Sequence, residues 1–156
     1  MLTVKIICVG SIKEKYFVQA LDEYYKRLSR FCNLIVKEIT SSRIAKNDQS
    51  EIKKALLKEA KQITEKLTGT IVVLDREGTS FSSQCTAELI REASMKKGAI
   101  SFIIGSSHGV CQTVKDKADK IVSFGDITLP HQLFRVVLAE QIYRAFTIIN
   151  DTPYHK

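Results

Sequence analysis

Two short runs, GTIVVLD (69–75) and AISFIIG (99–105), are apolar at almost every position and rich in β-branched residues. A strand with one face in water alternates polar and apolar residues. A strand apolar on both faces must be covered on both, and a parallel sheet with helices packed on each side supplies that cover. The segments between such runs carry the helical period: Phe17, Leu21, Tyr24, Leu28 and Phe31 share one face of a helix over roughly 13–30, and Ile52, Leu56, Ala60, Ile63 and Leu67 share another. Asp48 and Glu51 stand at capping-box spacing before the second stripe, and lysines coat its other side. TVKIICVG (3–10), NLIVKEI (33–39) and KIVSF (120–124) read as further strands; helices are expected over 83–93 and about 131–149, with a short helical piece before 120. The pattern predicts one α/β domain over residues 1–156. Five strands form a mostly parallel sheet with about five helices on its two faces, and GTIVVLD lies at the centre.

Composition narrows the function classes. No apolar run approaches the roughly 18 residues of a membrane span, and MLTVKIICVGSIKEKY lacks the regions of a signal peptide, so a cytosolic location is expected. Cys8, Cys32, Cys85 and Cys111 are far apart, and His108, His131 and His155 show no ligand spacing. We expect buried free thiols and no metal site. The net charge of +7 is concentrated: residues 1–66 hold 14 basic and 8 acidic side chains, residues 67–156 hold 10 and 9. A cationic first portion suits a polyanionic partner, and also suits a merely solvated surface.

Open α/β sheets bind ligands beyond the carboxyl ends of their strands. The loops to inspect therefore begin at Leu74-Asp75-Arg76-Glu77, at Gly105-Ser106-Ser107-His108-Gly109 and at Phe124-Gly125-Asp126-Ile127-Thr128. None is a dinucleotide fingerprint or a Walker A loop. The last helix, HQLFRVVLAEQIYRAFTII, is apolar nearly all round, and a domain of this size cannot enclose all of it, which points to a second copy of the chain. Glu140 and Arg144 stand at ion-pair spacing, while Arg135 has no partner in register. After Pro153 the chain reads Tyr154-His155-Lys156: a ring that can stack on a base, an imidazole that can carry a proton near neutral pH, and a cation for phosphate.

FIIGSSHGV, SFGDITLPHQLFRVVLAEQIYRA and the terminal PYHK together resemble the ribosomal RNA large-subunit methyltransferase H family of the SPOUT superfamily, and VGSIKEKYFVQALDEYYKRL resembles that family's opening. The resemblance implies a C-terminal trefoil knot, a homodimer, and methyl transfer from S-adenosylmethionine to N3 of a pseudouridine in 23S rRNA of the assembled ribosome. It assigns cofactor contacts to Leu74, Gly105, Phe124, Gly125, Asp126, Ile127, Thr128 and Leu129. It also implies that the tail of one subunit lies near the other's cofactor; there we expect Tyr154, His155 and Lys156 to grip the nucleotide, with His155 as general base and Arg135 and Arg144 as phosphate or structural groups. Two positions depart from the family pattern: Ser106 where a second glycine is common, and Asp151 where glycine is common. Aspartate tolerates left-handed backbone better than most residues. Two other readings compete: a ribosome-binding protein without catalysis, and a different small nucleotide enzyme, which the missing phosphate-loop motifs disfavour.

Overall fold

The computed structural model describes all residues, Met1–Lys156. In chain order the elements are β1 (Thr3–Val9), α1 (Lys15–Leu28), β2 (Asn33–Ile39), α2 (Gln49–Thr64), β3 (Thr70–Ser80), α3 (Ser83–Lys96), β4 (Ala99–Ile104), α4 (Gln112–Lys115), β5 (Lys120–Ser123) and α5 (His131–Ile149). The five strands form one sheet in the order β2-β1-β4-β3-β5, and every pairing is parallel.

The doubly apolar runs occupy interior positions, as their burial requires. β4 holds the centre and β3 lies beside it, a correction to the expectation that β3 would be central. Phe102 and Ile100 of β4 and Val72 of β3 face α1, α3 and α5, in a core shared with Leu28, Ile90, Leu138 and Ile142. Ile103 and Val73 face the other way, toward Ile63 of α2 and Val114 of α4. Cys8 and Cys32 are buried, and burial pushes both thiols up to about 12, so they stay protonated packing groups; Cys85 and Cys111 are only partly covered.

β3 runs past the expected end at Asp75. After its apolar stretch the strand bulges, then pairs again with β5 through Thr79–Val122 and Ser80–Ser123. Gly78 allows this, because a Cβ there would stand 2.7 Å from the backbone of Val122. Helix starts follow their caps: Asp48 accepts the Glu51 amide at 2.8 Å, and Ser82 accepts that of Cys85 at 3.1 Å.

α5 packs between α1 and α3, with Leu138, Ala139, Ile142 and Ala145 fully buried. Leu133, Phe134, Val136, Val137 and Tyr143 are only half-covered and leave an apolar strip along the helix. No helix is long and apolar enough to cross a membrane.

Candidate active site

The carboxyl ends of β3, β4 and β5 and the first turn of α5 enclose a cleft of about 630 Å³. That is within the usual range for small-molecule sites of ~300–1,000 Å³. Leu74, Gly105, Phe124, Gly125, Ile127, Thr128 and Leu129, each expected at the cofactor, all line it. Asp126 is exposed in the same loop and is not part of the wall.

The walls are built from backbone because the local sequence leaves backbone bare. Gly105 follows β4 where a Cβ would lie 2.3 Å from the Gly109 carbonyl oxygen, so only glycine lets the two loop ends close. The Gly109 amide then donates to the Ser106 carbonyl at 2.9 Å. At the exit of β5 the Ser123 hydroxyl accepts from the Gly125 amide at 3.2 Å, and Gly125 sits at φ +118. The amides of Ile127, Thr128 and Leu129 donate to nothing in the chain, and Ile127 is 80% exposed. Such a run presents donors and carbonyls to an incoming heterocycle while Leu74, Ile104 and Phe134 supply apolar contact.

Side chains missed by the sequence reading hold this wall in place. Lys115 of α4 pairs with Asp75 at 2.6 Å. Although partial burial opposes ionisation of Asp75, the Lys115 contact and the Glu77 amide hold its carboxyl below the ordinary range. Arg76 reaches Thr128 at 3.5 Å across the mouth. His131 begins α5 against the backbone of Gly105; burial lowers its pKa, and its Nε2 has no partner. The signal for His131 was its place after Pro130, directly behind the third loop. Behind the second loop Glu59, only 3% exposed, accepts the Ser42 amide at 3.2 Å; burial raises its pKa.

The remaining expected residues lie elsewhere. Arg135 is 3% exposed and bonds Glu38 of β2 at 2.8 Å, so its guanidinium is a buried fastening of α5 to the sheet. Of the two roles expected of Arg135, phosphate contact or structural support, this placement favours the structural one. At the other end of α5, Arg144 pairs with Glu140 at 2.9 Å and lies 4.8 Å above the Tyr154 ring. The Tyr154 hydroxyl donates to Glu140 at 3.2 Å, and its ring meets Tyr143 edge-on at 4.9 Å. Burial, with Tyr24 and Glu140 nearby, pushes the Tyr154 phenol up to about 12, so it is a hydrogen-bond donor rather than a base. His155 places Nδ1 3.3 Å from Arg144 and Nε2 3.5 Å from Gln84. Because arginine only donates, Nδ1 accepts in the contact with Arg144. Lys156 is exposed.

The fold-back of the tail has a local cause. Asp151 adopts φ +49, the left-handed conformation expected of the glycine it replaces. The Thr152 amide bonds Thr147 at 2.9 Å and the Asp151 amide bonds Ile148 at 3.3 Å, a Schellman closure that turns the chain back along α5. At about 1.5 Å per residue, Arg144 stands ~20 Å along the helix from His131. Within one chain the tail is therefore remote from the cleft.

Comparison with known proteins assigns this arrangement to a class. A family model described as a predicted SPOUT methyltransferase matches residues 2–155. The solved structure of a probable methylase family protein from Haemophilus influenzae Rd KW20 shares the fold, with a TM-score of 0.54 at 13% identity over 98% of this chain and 70% of that one. The chain belongs to the SPOUT methyltransferases, and its fold is shared with that methylase structure.

Closer relatives narrow the class. The ribosomal RNA large subunit methyltransferase H of Streptococcus pyogenes serotype M18 is 44% identical over 99% of this chain and 100% of its own length. That of Caldicellulosiruptor saccharolyticus is 43% identical over 98% and 99%. The chain belongs to the ribosomal RNA large subunit methyltransferase H family.

Proposed function

We propose that two copies of this chain form a cytoplasmic enzyme that transfers a methyl group from S-adenosylmethionine to N3 of a pseudouridine in 23S rRNA of the ribosome. The observation that carries the reading is the backbone-lined cleft, whose walls include seven of the eight residues expected at the cofactor. Its free amides suit an adenine edge and its apolar patches suit a ribose and a thioether stem, with no need for a phosphate loop. A C-terminal trefoil knot belongs to the same reading.

When bound, S-adenosylmethionine supplies a methyl group already activated by a positively charged sulfur. The protein has two tasks. It must hold donor and acceptor in line, and it must take the N3 proton as the new carbon–nitrogen bond forms and the sulfur–carbon bond breaks. The strand-tip loops do the first. For the second, the tail of the other copy covers the cleft: Tyr154 stacks on or bonds the base, Lys156 meets phosphate, and His155 accepts the proton. In the isolated chain the His155 lone pair is occupied by Arg144, so the tail must shift from that contact when it engages the substrate. Arg144 then orders the tail through Glu140 and Tyr154.

The test is incorporation of labelled methyl into purified ribosomes and into free rRNA, followed by mass mapping of the modified nucleotide. The reading expects one labelled uridine-type base in 23S rRNA. Calorimetry showing no binding of S-adenosylmethionine to the folded protein, with no label transferred, would overturn it in favour of a non-catalytic ribosome-binding protein.

A further inference from the structure

The helices of this protein treat their surface charges in two ways. α1 pairs Glu23 with Arg27 at 2.7 Å, α3 pairs Glu92 with Lys96 at 3.0 Å, and α5 pairs Glu140 with Arg144, each acid four residues before its base. That order stabilises a helix. α2 does the reverse: Lys54 and Lys58 stand four apart and Lys58 and Lys61 three apart, so like charges face one another. At about 100° per residue, Lys53, Leu57, Lys61, Lys54 and Lys58 fill one arc of ~140°, all of them exposed. None of these lysines makes a salt bridge. The nearby carboxylates do not relieve them, since Glu51 is turned onto the Lys46 amide and Glu65 pairs with nothing. A surface serving solubility alone intersperses the two signs.

The position of this face matters as much as its charge. Ala55, Leu56 and Glu59 of α2 share a small polar pocket with Ser106 and Ser107, which also line the cleft. The first half of α2 thus stands beside the rim of the cleft. Arg43 and Lys46, both exposed, precede it in the chain. Its lysine face spans ~10 Å along the axis from Lys54 to Lys61, long enough to meet successive phosphates. We infer that the outer face of α2 is a docking surface for the sugar–phosphate backbone of the RNA substrate, held by Lys53, Lys54, Lys58 and Lys61. The inference rests on the reading of the protein as an rRNA-modifying enzyme and names a surface of it outside the cleft and the tail. The repulsion within the row is relieved when phosphates lie against it, the lysines taking the place of cations condensed on the RNA.

The experiment compares two variants of equal net charge, Lys54→Gln/Lys58→Gln on α2 and Lys117→Gln/Lys120→Gln between the end of α4 and the start of β5. Each is measured by co-sedimentation with purified bacterial ribosomes over a range of salt, alongside calorimetry with S-adenosylmethionine and thermal melting. We expect the α2 pair to weaken ribosome binding at least about fivefold and to lower the log–log salt slope by about 1.5, as two lost phosphate contacts require. Cofactor affinity should be unchanged and the control pair should stay within about twofold of the parent, the scatter of a general charge effect. Equal weakening by both pairs, or an unaltered salt slope in the α2 variant, would overturn the inference. Failure of the parent protein to bind S-adenosylmethionine would instead strike the functional reading, while co-sedimentation would still judge the surface.

Discussion

At its first turn α5 lends His131 and Phe134 to a cleft made mostly of backbone; at its last turns it carries Glu140, Tyr143 and Arg144, a charged and aromatic seat on which Tyr154 and His155 fold back. The two ends share a helix and are ~20 Å apart. One end has bare amides and apolar walls suited to hold a small molecule. The other has an imidazole, a phenol and cations suited to handle a nucleotide and its proton. The cleft end has no phenol and its one imidazole, His131, is partly buried, while the half-covered apolar strip along α5 lies between the two ends. On the proposed reading, a second copy packed on that strip would bring one chain's seat to the other's cleft, and the two halves would complete one site only in a dimer.

The comparison is open to attack from each end. The largest effect belongs to the tail: His155→Ala should lower turnover by at least ~100-fold, the usual worth of a general base, while cofactor affinity by calorimetry stays at the parental value. Unchanged turnover would remove His155 from the chemistry. Next comes the cleft. Gly105→Val places a side chain against the Gly109 carbonyl and the Val110 methyl. S-adenosylmethionine affinity should fall at least about thirtyfold, or ~2 kcal/mol, with the tail left in its seat. A smaller effect tests how the cleft end is fastened. Glu38→Gln leaves the Arg135 charge buried without its counter-ion, and denaturant unfolding should show a loss of about 2 kcal/mol, less than a fully buried pair because Glu38 is half-exposed. Smallest is Asp151→Gly, which relieves the positive φ that seats the tail and should stabilise the protein by about 0.5 kcal/mol.

What the sequence revealed and what it concealed follow from the range of the interactions. The doubly apolar runs around Val72 and Phe102 dictate interior parallel strands, and the glycines at 105 and 125 mark where backbone lines the cleft. These signals are local, so the sheet, the helices and seven cleft residues could be read in advance. β3 was cut short because its second pairing with β5 uses Thr79 and Ser80, polar residues with no strand signature of their own, beyond a bulge. The partner of Arg135 was invisible because Glu38 lies 97 positions earlier, and only the packing of α5 over the edge of the sheet brings them together. Lys115 and Asp75 were missed for the same reason. The seat of the tail fell between these cases: the pairing of Glu140 with Arg144 was legible from its spacing, whereas the return of Tyr154 onto it depends on the left-handed turn at Asp151.

Complementation in mixed dimers tests the division most directly. His155→Ala subunits keep a sound cleft, and Gly105→Val subunits keep a sound tail. Denatured together in equal amounts and refolded, they should recover about a quarter of parental methyl transfer to ribosomes, because half the dimers are mixed and each mixed dimer holds one intact composite site. Recovery no greater than the sum of the two inactive parents, in refolded dimers shown to be mixed, would contradict the account and return cleft and tail to the same chain.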